Sequence, residues 1–222
     1  MLKNIILLIM GSLALSACSQ VPSDKASAKE THAVVEKTPV DLTGLSKAYF
    51  ASGCFWCVEA IFESVKGVEE VISGYAGGKA STATYSQVSA GKTKHAESVE
   101  VYYDPEVVSY ETLLKVFFGS HDPTTLNQQG PDRGTQYRSA IFYQNEEEKN
   151  LAEAYIKELT EVGTFNNPIV TEVVPFEAFY DAEDYHQDYE KHNPNNPYVQ
   201  RVSIPRLKRF QAKFPELLKE GH

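Results

Sequence analysis

The chain has 222 residues, 42% of them hydrophobic, 11% aromatic and 23% charged, proportions that fit one ordinary globular domain. Its formal net charge of −9 makes nucleic acid and anionic lipid poor partners for the folded part. Three cysteines are too few for a disulfide framework.

Residues 1–17 stand apart. Lys3 gives a positive start, Ile5 to Met10 an apolar stretch too short to span a bilayer, and Leu15-Ser16-Ala17-Cys18 a small-residue ending, the pattern of a secretory signal. That ending resembles the lipobox of bacterial lipoproteins, which implies lipid on Cys18 and an exported protein anchored to the cell envelope; the alternative is an ordinary signal cut near Ala17. Residues 18–46 are rich in Ser, Lys, Glu, Thr and Ala without apolar periodicity, so they read as a tether. As a flexible coil, a segment of that length spans roughly 30 Å. The folded domain is expected over 47–222.

Within it, 48–51 reads as a short strand, with Gly53 placed for a tight turn. Val58, Ile61, Phe62 and Val65 follow helical spacing, with Gly67 as the stop. Residues 68–75 suggest a second strand. Over 97–103, Val99, Val101 and Tyr103 alternate with Ser98, Glu100 and Tyr102, which predicts a strand with two unlike faces. Ser109 can cap a helix over 110–118, and 119–134 is a loop dense in Pro, Asn, Gln, Asp and Gly. A strand over 137–143, a helix capped by Asn145 and running to Val162, and a strand over 169–174 complete the pattern. The rest is aromatic and Pro-rich, with one helix near 206–214. Short interleaved elements with alternating faces imply an α+β two-layer sandwich with a mainly antiparallel, ferredoxin-like sheet, followed by a long loop-rich C-terminal region.

The chemistry centres on Cys54 and Cys57. A cysteine in a strand-to-helix turn lies where the helix N-terminus favours its thiolate, which makes Cys54 a candidate nucleophile. A zinc site is not expected, because no second cysteine pair or close histidine pair completes four ligands, and His95, His121 and His186 read as structural. The spacing alone also fits a thioredoxin-like disulfide oxidoreductase, although no run of parallel-sheet units follows it. A third reading is a surface lipoprotein that binds a partner through its aromatic C-terminal region.

Gly53-Cys54-Phe55-Trp56-Cys57-Val58-Glu59-Ala60 resembles the signature of the A-type peptide methionine sulfoxide reductases. The likeness continues in Gly74-Tyr75-Ala76-Gly77-Gly78, Thr84-Tyr85, His95-Ala96-Glu97, Tyr103-Asp104-Pro105, the run from His121 to Asn127 and the run from Asp132 to Ser139. It implies Cys54 as nucleophile and Phe55 and Trp56 as the floor that receives the sulfoxide methyl group. It implies Glu97, Tyr85 and Tyr137 around the sulfoxide oxygen, with Asp132 in the same pocket. The implied reaction is reduction of methionine S-sulfoxide, in proteins or free, with no metal or organic cofactor and with a thioredoxin-like dithiol as reductant. The chemistry agrees, since a sulfoxide sulfur is a poor electrophile until its oxygen is protonated, and attack by Cys54 leaves a sulfenic acid. On residue type alone, Phe55 and Trp56 could be core, Tyr85 and Tyr137 packed aromatics, and Glu97 a solvated edge charge.

The chain departs from many family members in having no cysteine after Cys57. Either Cys57 resolves the Cys54 sulfenic acid as a disulfide, or Cys57 is buried in the first helical turn and an external thiol reduces Cys54 directly. No heptads are present, so a monomer is expected.

Overall fold

The computed structural model describes residues 41–221; the expected signal over 1–17, Cys18 and most of the tether lie outside them. The tether was expected to run through residue 46, but Ser46 already pairs with Tyr103 in the sheet, so the folded part begins there.

In chain order the elements are β1 (Ser46–Ser52), α1 (Phe55–Glu63), β2 (Val68–Ala76), α2 (Tyr85–Val88), β3 (Ala96–Tyr103), α3 (Tyr110–Ser120), β4 (Gln128–Gln129), β5 (Asp132–Arg133), β6 (Ser139–Tyr143), α4 (Glu146–Glu161), β7 (Glu172–Pro175), β8 (Phe179–Asp181), α5 (Tyr189–His192) and α6 (Ile204–Lys213). One six-stranded sheet has the order β7-β6-β1-β3-β2-β8. Its four central strands are antiparallel, with α1 linking β1 to β2 and α3 linking β3 to β6, the split βαβ arrangement of a ferredoxin-like sheet. At the edges β8 adds antiparallel to β2 and β7 adds parallel to β6, so the whole sheet is mixed.

Both faces of β1 are covered, which is why its inner residues are buried without a polar side. Towards the helices Phe50 stacks on Phe62 of α1 at 5.1 Å and on Phe117 of α3 at 5.3 Å. On the opposite face Tyr49 and Ala51 lie with Ala76, Ala96, Ala140 and Phe142 beneath Val174, Phe176 and Phe179. Full burial of one such aromatic side chain stabilises by roughly 1.5–3 kcal/mol, so the helix-side cluster fixes how α1 meets the sheet. The expected caps are present: Ser109 Oγ accepts the Thr112 N–H at 3.3 Å, and Asn145 Oδ1 accepts the Glu148 N–H at 2.9 Å.

Helix α1 starts at Phe55, directly after Cys54 as the sequence reading expected, so Cys57 lies in its first turn. Four features differ from that reading. The loop over 119–134 contains the β4–β5 hairpin. Tyr137 ends a tight turn, Thr135–Tyr137, and the strand begins only at Ser139. The strand expected over 169–174 is shifted to Glu172–Pro175, where it pairs with β6, and β8 arises within the region read as loop. Among the described residues no helix is long and apolar enough to cross a membrane.

Candidate active site

The turn from β1 into α1 sets the site. Gly53 has φ +96°, and a Cβ there would lie 2.7 Å from Cβ of Gln129, so the left-handed backbone and the packing of the β4–β5 hairpin both require glycine. Cys54 follows as the residue before α1, its carbonyl accepting the N–H groups of Cys57 at 3.1 Å and Val58 at 3.4 Å. Both thiols are free and buried.

The first N–H of α1 does not face a thiol. Phe55 N–H donates to Glu97 Oε2 at 3.2 Å, which holds this carboxyl at the helix N-terminus beside Cys54. Glu97 reaches that point because it shares a face of β3 with Val99, Val101 and Tyr103, the face turned to α1; it is 2% exposed and therefore not an edge charge. Burial pushes its carboxyl up to about 8, with Asp132 and Cys57 adding to the rise and the Phe55 N–H opposing it. It is thus predominantly protonated at neutral pH.

The two thiols share a hydrogen bond and titrate as a pair. Burial pushes the Cys54 thiol well up, whereas the bond from Cys54, followed by the Arg206 guanidinium, brings Cys57 down to about 6. The expectation that the helix N-terminus lowers Cys54 is therefore corrected: the helix N–H is taken by Glu97, and desolvation dominates at Cys54. Of the two, Cys57 is the more easily ionised and Cys54 the more reluctant.

Aromatic groups surround this pair. Phe55 is fully buried, its ring 5.0 Å from His186 and 6.5 Å from Tyr85, and it lies under the site. Trp56 is partly exposed and stacks on Tyr189 at 3.7 Å with an interplanar angle of 6°. Its indole N–H donates to His186 Nδ1 at 3.1 Å, which requires that nitrogen to be bare, and burial holds the His186 imidazole down to about 4 so that it stays neutral. Glu183 anchors the neighbouring rings, accepting from Tyr75 Oη at 2.9 Å and from the Tyr85 N–H at 3.0 Å. The Tyr85 phenol is pushed up to about 12 by burial, then by Glu97 and Cys54, and Tyr137 is raised by the same causes. Both remain neutral donors. Tyr198 Oη donates to Asp132 Oδ2 at 2.6 Å and lies 3.9 Å from Cys57 Sγ.

The structure thus brings Cys54, Cys57, Glu97, Tyr85, Tyr137, Phe55, Trp56 and Asp132 into one neighbourhood. Sequence reasoning missed Tyr189, Tyr198 and Arg206, and it left His186 without its link to Trp56. The aromatic density of the C-terminal region was the available signal. His95 and His121 remain structural: His95 Nε2 meets the Lys79 carbonyl, and His121 bridges the Phe117 carbonyl and Ser139 Oγ. Glu59, Glu63 and Asp188 converge on one point, but the Lys191 ammonium sits there, 2.8 Å from Glu63 and 2.7 Å from Asp188, and takes the cation's place.

Residues 46–218 match the family described as Peptide methionine sulfoxide reductase. A peptide methionine sulfoxide reductase of Synechocystis is 49% identical over 213 residues, 95% of this chain and 96% of that protein. One from Pasteurella multocida is 50% identical, covering 78% of this chain and 98% of its own length. Among solved structures, reduced Mxr1 from Saccharomyces cerevisiae superposes with a TM-score of 0.65 at 36% identity, over 68% of this chain and 87% of that one. Methionine sulfoxide reductase A of Corynebacterium diphtheriae gives 0.61 at 36% identity, over 68% and 76%.

Proposed function

The chain belongs to the peptide methionine sulfoxide reductase family and is an oxidoreductase that reduces methionine sulfoxide; from that premise we propose that Cys54 is its nucleophile and Glu97 its proton donor. The observation that carries this is the buried, proton-bearing Glu97 carboxyl held by the N–H of Phe55, the residue that follows Cys54. Trp56 receives the sulfoxide methyl group over Phe55. Tyr85 and Tyr137 hydrogen bond to the sulfoxide oxygen, and the S epimer presents its sulfur to Cys54. Glu97 gives its proton to that oxygen as Cys54 Sγ attacks sulfur; in the resulting adduct the hydroxyl oxygen shifts to Cys54 Sγ as both the new S–S bond and the original S–O bond break, so methionine leaves with the electron pair and Cys54 is left as a sulfenic acid.

Cys57 then attacks the sulfenic sulfur, water leaves, and a Cys54–Cys57 disulfide forms. The shared thiol hydrogen bond supports this step, although Cys57 is also buried in the first helical turn, as the rival arrangement requires. A thioredoxin-like dithiol returns both cysteines to thiols. With dithiothreitol and a methionine S-sulfoxide peptide, wild type and Cys57→Ser should both release methionine and Cys54→Ser should not. After one equivalent of sulfoxide without thiol, wild type should become about 2 Da lighter and Cys57→Ser about 16 Da heavier, the mass of a retained sulfenic oxygen. A sulfenic acid that persists in wild type would assign recycling to external thiols alone.

The substrate is oxidised protein at the cell envelope, with the domain held there by lipid on Cys18. The Leu15-Ser16-Ala17-Cys18 ending supports that location. Cys18→Ala should move the protein from the membrane fraction to the soluble one without change in peptide reduction; unchanged partition would refute the anchor.

A further inference from the structure

Cys57 has a second front. Its side chain belongs to the wall of a cleft of about 180 Å³ in which Cys54 has no part, bounded also by Asp132, Tyr198, Arg201, Arg206 and Arg209. A neighbouring cleft of about 370 Å³ shares Gln129, Arg206 and Arg209 and adds Lys213, with Asp122 as its acid. Arg206 is buried and fixed, its Nε donating to the Ser120 carbonyl at 2.8 Å and its Nη2 to Ser52 Oγ at 3.3 Å. Arg201 and Arg209 are exposed, and among the described residues neither makes an ion pair. The acid in the wall of this cleft, Asp132, accepts the Tyr198 hydroxyl.

We propose that this arginine-walled cleft admits a small thiol bearing carboxylates, which attacks Cys57 and so recycles the enzyme by a route separate from a dithiol protein. The inference rests on the Cys54–Cys57 disulfide of the proposed cycle. The aromatic side of the pair presents the Tyr85 and Tyr137 phenols and the Glu97 carboxyl, with no cation to draw an anionic thiolate there. The cleft that Cys57 lines carries three arginines, of which Arg206 acts on Cys57 directly, and focused charge of this kind raises association rates by about 10–10³-fold. Cys57 is 1% exposed, so its sulfur is reached from the floor of the cleft rather than from a protein surface, which favours a small reductant.

The thiolate sulfur bonds to Cys57 Sγ, the Cys54–Cys57 bond breaks, and its electron pair leaves on Cys54 Sγ, which takes up a proton. A second thiolate attacks the reductant's sulfur in the mixed disulfide and releases Cys57. Two thiols are oxidised to one disulfide, and the two electrons restore the pair.

The test oxidises the full chain with one equivalent of methionine S-sulfoxide and checks by intact mass that about 2 Da have been lost. Reduction is then followed with glutathione, mercaptoethanol and cysteamine, each rate expressed per thiolate, in wild type and in an Arg201→Gln, Arg209→Gln double variant. Wild type should favour glutathione over mercaptoethanol by at least about tenfold, with cysteamine slowest. The double variant should bring the ratio close to one, and high salt should do the same in wild type. In Cys54→Ser, glutathione disulfide should modify Cys57. No preference in wild type, or a preference that survives the double substitution, overturns the cleft. A gain of about 16 Da at the first step instead overturns the disulfide, and the cleft's role with it.

Discussion

Cys54→Ser should leave no measurable sulfoxide reduction, a loss on the order of 10⁴-fold or more, as expected when a nucleophile that forms the covalent intermediate is removed. A serine hydroxyl has nearly the same shape but does not ionise near neutral pH, and it has no counterpart to the sulfenic acid that must hold the transferred oxygen. Cys54 is buried, makes no backbone-capping bond through its side chain, and precedes α1 with its carbonyl rather than its thiol in the helix ladder. The fold should therefore survive the substitution, with unchanged circular dichroism and a melting temperature within a few degrees. Residual turnover above one part in about 10³ would mean that another group accepts the oxygen.

Glu97→Gln should lower kcat/KM by about 10²–10³-fold, or roughly 2.7–4 kcal/mol of transition-state stabilisation. The amide keeps the shape and its carbonyl oxygen can still accept the Phe55 N–H, so the loss reports the proton rather than the cap. The pH profile separates the two. Below about 6, where Cys57 takes up its proton, the thiol pair is neutral and no thiolate is available. Above about 8, Glu97 is ionised and has no proton to give. Wild type should accordingly be bell-shaped between about 6 and 8, and Glu97→Gln should lose the alkaline limb while keeping the acidic one. An alkaline limb that persists in the variant would assign proton donation to another group, with Tyr85 and Tyr137 the nearest phenols.

Much of this arrangement was legible in local pattern. The alternation over 97–103, the Ser109 and Asn145 caps and the helical spacing of Val58, Ile61 and Phe62 are short-range signals, and the structure reproduces them. The start of α1 just after Cys54 was legible from the strand-to-helix turn, but its cap was not, because the cap is the Glu97 carboxyl, 42 residues away in sequence.

The edge strands escaped for a related reason. β8 has three residues and exists through its pairing with Gly74, Tyr75 and Ala76, where a Cβ on Gly74 would meet the Phe179 ring at 2.4 Å. The β4–β5 hairpin has only two residues on each side and is held by packing over Gly53.

At the site, the family resemblance supplied Glu97, Tyr85, Tyr137 and Asp132, whereas residue chemistry alone singled out Cys54 and Cys57. Tyr198 and Arg206 needed three dimensions. They arrive on the C-terminal segment from more than a hundred residues away and meet Cys57 only when α6 packs against α1 and α3. The Arg206 guanidinium also helps to lower Cys57, after the bond from Cys54, a contribution that spacing between two cysteines does not encode.

The most direct test is a single turnover in the absence of any added thiol: reduced full-length protein mixed with one equivalent of a peptide carrying methionine S-sulfoxide, quenched with an alkylating agent and mapped by mass. The account predicts one methionine formed per chain, with Cys54 no longer alkylated and joined to Cys57. Unreduced sulfoxide, or methionine formed while Cys54 remains a free thiol, would contradict it.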